Sequence, residues 1–152
     1  MNSLAILAST LIATTSIAAV PAKPPLRPLV AAYDAAAVTK LCDEGIARAR
    51  ASLAKMEAKK GGAGFYDEWN RIQIGIEDVV NPIYLMGSVH PEKAVRDAAD
   101  PCLTKYTTLS TEIFQSEKLF ARVKAAGTAN PRQAQLRKDL LEGFEDSGVA
   151  LP

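Results

Sequence analysis

Apolar residues recur in steps of three and four along most of this chain, and that spacing limits its fold more than any other feature. In 34–60 the series is Cys42, Ile46, Ala49, Leu53 and Met56, which a helix gathers on one face. Asp34 suits the N-cap, and Lys59-Lys60 followed by Gly61-Gly62 suits a C-terminus, with cations against the dipole and glycine to leave the helix. A second helix is predicted over 65–86, with Phe65, Trp69, Ile72, Ile76, Val79, Ile83 and Met86 as its seam. Pro82 should kink or end it, and Asn81 before the proline is pushed from helical angles.

A third helix is predicted over 91–124. Its seam is Val95, Ala99, Cys102, Tyr106, Leu109 and Ile113, then Phe120 and Val123 after a polar gap at Ser116 and Glu117. Pro101 falls inside it; because the seam keeps its phase across the proline, one bent helix is expected rather than a fresh start capped by Asp100. A fourth, 132–146, carries Leu136, Leu140 and Phe144 on one face. Runs with the period-two pattern of strands are absent. The expected fold is all-α, an up-down bundle of three long antiparallel helices plus a shorter fourth.

The first 22 residues differ from the rest. No charged side chain occurs from Leu4 to Val20, and Ser16-Ile17-Ala18 or Val20-Pro21-Ala22 offers small residues for cleavage. This reads as a signal peptide over 1–22, although the only positive charge before the apolar run is the terminal amine; the alternative is a membrane anchor, for which the run is short and interrupted by Ser9, Thr10, Thr14, Thr15 and Ser16. A Pro-rich spacer follows over 23–33, with Pro24, Pro25 and Pro28 excluding regular structure. The expected location is the periplasm or outside the cell, with no membrane attachment once the signal is cleaved. Hydrophobic residues at 48% and charged residues at 23% are a globular balance. A formal net charge of +1 leaves no nucleic-acid footprint.

Export draws attention to the two cysteines, Cys42 and Cys102. If the second helix runs antiparallel between the first and third, the two lie at heights only ~5 Å apart. A bridge would close a loop of roughly 60 residues, worth about 4 kcal/mol by chain entropy. The alternative is a pair of buried thiols. A bridge would be structural, since no C-x-x-C pair is present for redox cycling.

Catalytic signatures are missing. The chain has one histidine, His90, beside Pro91 in a turn, so neither H-E-x-x-H nor paired E-x-x-H ligands exist. There is no C-x-x-C-H for haem and no G-x-S-x-G elbow. Asp67/Glu68 and Glu77/Asp78 are sequence neighbours and do not face each other on a helix. Glu44 and Arg48, four apart, should pair on the surface. Gly61-Gly62-Ala63-Gly64 follows a helix and lacks the lysine and serine of a phosphate loop. No catalytic residue, cofactor ligand or metal ligand is assigned.

Four stretches nonetheless carry a resemblance: 41–49, from Leu41-Cys42-Asp43-Glu44 to Ala49; Asn81-Pro82-Ile83-Tyr84-Leu85-Met86 with Val89-His90-Pro91-Glu92-Lys93-Ala94-Val95-Arg96; Glu112-Ile113-Phe114 with Leu119-Phe120-Ala121-Arg122-Val123; and 136–144, from Leu136-Arg137-Lys138 to Phe144, with Gly148-Val149-Ala150-Leu151-Pro152. Together, over 34–152, they resemble the N-terminal helical region of the thimet oligopeptidase and oligopeptidase A family of zinc metallopeptidases. The resemblance implies helices that form one wall of a deep channel for short peptides. Family members are several times longer, and their zinc site, H-E-x-x-H plus a downstream glutamate, lies beyond the equivalent of Pro152. The zinc of the family therefore has no ligand here. The expectation is a truncated N-terminal piece, inactive alone, whose partners are the missing catalytic domain or short peptides. The alternative is an independent periplasmic helical binding or interaction module. A wall removed from its enzyme should leave Leu140, Leu141 and Phe144 exposed, whereas an independent module should cover them.

Overall fold

The computed structural model describes residues 33–149. They form five helices: α1 (Ala35–Glu57), α2 (Phe65–Val89), α3 (Lys93–Phe114), α4 (Glu117–Ala125) and α5 (Pro131–Asp146). No strand occurs among the described residues. The proposed signal segment and all of the spacer but Tyr33 lie outside them, as does the 150–152 ending.

Helices α1, α2 and α3 each pack against the other two. The pairs Cys42–Cys102, Asp43–Lys105 and Arg50–Glu112 advance together along the chain, so α1 and α3 run parallel. Lys59 meets Glu68 while Gly45 lies against Val79, so α2 runs antiparallel to α1. The three seams meet in one core. Val38, Phe65, Ile83, Val95 and Ala99 are wholly buried in it, and Tyr33 and Leu41 pack on its edge. Ile76 and Phe120, also expected in the seam, are only half-buried.

Local chemistry accounts for the ends. Asp34 caps α1, its carboxylate accepting from the Ala37 N–H at 2.7 Å. The helix stops at Glu57, a few residues before the glycines. Gly64 takes φ 68° ahead of α2, a left-handed conformation that suits glycine. Pro82 does not end α2, which continues to Val89. The carbonyl it leaves without a donor belongs to Asp78, an exposed residue that water reaches. Pro101 is accommodated in the same way inside α3, with exposed Asp97 four residues before it.

The third predicted helix divides, though not at Pro101. It breaks at Gln115–Ser116, where the apolar seam has its polar gap. Ser116 is extended, its hydroxyl oxygen accepts from the Leu119 N–H at 3.2 Å, and its hydroxyl donates to the Glu57 carboxylate of α1. A side chain that both caps a helix and binds a neighbouring one fixes the break there. After it Leu119, rather than Phe120, is the fully buried residue. The predicted fourth helix is thus α5, with Pro131 in its first turn and Asn130 as cap.

Helix α5 packs on α4 and closes the aromatic end of the core. Phe144 is wholly buried, 5.1 Å from Phe114 and 5.7 Å from Phe120 between ring centres. Leu140 is buried, and Leu136 and Leu141 are half-buried against the same core. Arg137 donates to the carbonyls of Val123 and Lys124, satisfying the end of α4.

Candidate ligand groove

The structure brings together the pair that the sequence singled out. Cys42 and Cys102 stand at disulfide distance, with Cα atoms 5.8 Å apart. Their surroundings are core residues of α1 and α3, so the pair is a staple between two helices. His90 is half-buried at the end of α2, where its Nδ1 accepts from the Glu92 N–H at 3.2 Å. Glu44 does pair with Arg48, at 3.7 Å.

The sequence did not single out the concave face between α1 and α2. Gly45, Ala49, Ser52, Met56 and Ala58 on one side and Ile72 and Gly75 on the other bound an open groove of about 690 Å³. The groove is bounded by small residues, Ala49 in the α1 seam, Gly45 and Ser52 beside it, and Gly75 on α2. A Cβ at Gly75 would meet nothing within 4 Å, so the space above it is open. Four cations stand along the groove, Arg48, Lys55, Lys59 and Arg71, against one carboxylate, Glu68.

Those charges are not equivalent. Glu68 is bound by Lys59 and, at 2.9 Å, by Arg122. Arg48 is held by Glu44 outside the groove. Lys55 and Arg71 have no carboxylate partner among the described residues.

Arg122, from α4, bonds two of the groove's lining residues, Met56 and Glu68. It is only 3% exposed, and it donates to the carbonyls of Met56, Gly61 and Ala63 as well as to Glu68. These bonds take up orphan carbonyls at the end of α1 and in the following loop. Burial lowers the guanidinium's pKa, and the Glu68 carboxylate at its side is its charge partner. The loop is also pressed onto α4: a Cβ at Gly62 would come within 2.2 Å of the Ala126 backbone.

Tyr106, from α3, packs in the core beneath Gly45. It is 6% exposed, and its hydroxyl has no hydrogen-bond partner. The hydroxyl reaches α1 at Gly45, 2.7 Å from where a Cβ would be, with Val79 beside it. Burial raises the phenol's pKa, partly offset by the positive charge of Arg48 on the groove rim. Tyr66 has a second buried hydroxyl without a partner, at the start of α2.

Among the described residues no three His, Cys, Asp or Glu side chains gather around one point, and the single histidine faces its own turn. No described helix is long and apolar enough to cross a membrane. Compared with protein-family models, curated proteins and solved structures, the chain matches none of them.

Proposed function

We propose that this chain is the N-terminal, channel-wall portion of an exported zinc oligopeptidase, contributing a peptide-binding face and no catalytic group. The parent activity would be hydrolysis of short peptides by a zinc-activated water held elsewhere in the enzyme. The observation that carries the reading is the groove between α1 and α2. It is open along its length, apolar on its floor and cationic on its rim. An extended peptide needs those features of a wall: room for small and medium side chains, and polar groups for its backbone and terminus. The helix-rich fold and the motif resemblance over 34–152 agree with it. The disulfide-distance pair Cys42–Cys102 agrees with an oxidising location, the periplasm or the cell exterior.

A second reading has its own support. Leu140 and Phe144 are buried and Leu141 packs against the core, so α5 finds its partners within the chain. That favours an independent helical binding module. In the other direction, the large apolar side chains left exposed, Ile74, Tyr84, Leu85 and Val89, all belong to α2. An exposed stretch on one helix is where a neighbouring catalytic part would rest.

Complementation separates the two readings. A family oligopeptidase lacking its corresponding helices would be mixed with this chain and assayed on a quenched peptide. The wall reading expects the two parts to associate and cleavage to rise. If a folded, monomeric chain neither binds the catalytic part nor changes its rate, the wall reading fails and the independent module stands.

A further inference from the structure

We infer that the α1–α2 groove recognises the free C-terminal carboxylate of a short peptide, with Lys55 and Arg71 clamping it from opposite walls. The inference rests on the peptide-wall reading above and adds which part of the peptide is bound, and by what.

The argument is one of unspent groups. Of the four cations along the groove, Lys59 is held by Glu68 and Arg48 by Glu44. Lys55 on α1 and Arg71 on α2 are left, both exposed and both lining the groove. Arg71 can offer a planar fork that matches a carboxylate, and Lys55 a compact charge. Between them the floor is Ala49, Met56 and Ile72, which suits apolar side chains of the last residues. Ser52 lies on the same wall as Lys55, with a hydroxyl for a backbone group.

The test uses a fluorescently labelled pentapeptide of alanine, leucine and phenylalanine, once with a free C-terminal carboxylate and once as its amide. Polarisation is read with the full chain. The acid should bind about tenfold or more tighter than the amide, the loss of a charge-assisted hydrogen bond. Lys55→Ala with Arg71→Ala should erase that preference; both sites are exposed, so folding is kept. Gly75→Leu, into open space, should weaken acid and amide alike while the helix is retained.

Equal affinity for acid and amide overturns the inference, and so does an acid preference that survives the double variant. Displacement of the peptide by inorganic phosphate at the concentration at which acetate displaces it would mark a general anion site, and also overturns it. None of these outcomes touches complementation, so loss of the carboxylate site and loss of the wall reading are told apart.

Discussion

The two flanks of α1 are finished in opposite ways. Toward α3 the helix is closed: a disulfide-distance pair, Cys42–Cys102, lies in the core, and two ion pairs cross above it, Asp43–Lys105 at 2.6 Å and Arg50–Glu112 at 2.7 Å. Toward α2 the same helix presents Gly45, Ala49 and Ser52, and the cations Lys55 and Arg71 stand without carboxylates among the described residues. On the first side the charges of α1 are paired across to α3; on the second, among the described residues, Lys55 has no carboxylate, and neither has Arg71 facing it from α2. The closed flank fixes α1, and the open flank is then free to carry small residues and single charges that would weaken a core.

Changes to the closed flank should therefore cost stability, and changes to the open flank should cost ligand. The largest effect belongs to the staple. Cys42→Ser with Cys102→Ser releases a loop with a sequence separation of 60 and should destabilise by about 4 kcal/mol, read by denaturant titration in oxidising buffer. Unchanged stability would mean that packing alone holds α1 on α3.

Next is Arg122, which ties α4 to the end of α1, to the loop and to Glu68. Arg122→Met should cost roughly 3 kcal/mol, because three carbonyls lose their donor in a largely buried place and Glu68 keeps only Lys59. The same variant should loosen the loop after α1, seen as faster hydrogen exchange over 58–64.

Two glycines sharpen the comparison within one groove. At Gly45 a Cβ would meet the Tyr106 hydroxyl at 2.7 Å and Val79 at 2.9 Å, whereas at Gly75 it would meet nothing. Gly45→Ala should destabilise by about 1–2 kcal/mol, the overpacking exceeding the gain in helix propensity. Gly75→Ala should stabilise by roughly 0.5–1 kcal/mol. Thermal melts of the two proteins should move in opposite directions.

The smallest effect is the pH dependence of Tyr106. Burial raises its pKa in the folded state, so above the ordinary tyrosine value of 10.0 the unfolded chain gives up its proton first. In that window stability falls as pH rises, until the folded-state pKa is passed, while below pH 10.0 the group contributes no slope. Tyr106→Phe should flatten the decline above pH 10.0 without loss of stability at pH 7, since it removes a buried hydroxyl that has no partner. A decline equally steep in the variant would assign it to other groups.

The bundle was readable because burial repeats. Phe65, Trp69, Ile83 and Met86 advertise one face of α2, and Cys102, Leu109 and Ile113 one face of α3, with every step set by helix geometry. The division of α3 from α4 was less so. Pro101 is the louder signal, yet it lies where Asp97 is exposed to water, while Ser116 acts through a bond to Glu57 that sequence spacing does not reveal. The disulfide pair was reachable by comparing heights along two parallel helices. The groove was not, because its evidence is a lack of bulk: glycine at 45 and 75 reads as a weak helix position until a neighbouring helix shows what space it leaves. Tyr106 was counted as a core residue, which it is, and only its unpaired hydroxyl sets it apart.

The central claim is that this chain binds peptide and does no chemistry on it. It is tested most directly by incubating the purified chain with a quenched peptide library, with and without added zinc, while binding is followed on the same samples. The account predicts binding with every peptide recovered intact. Zinc-dependent cleavage that survives re-purification and disappears in His90→Ala would contradict it.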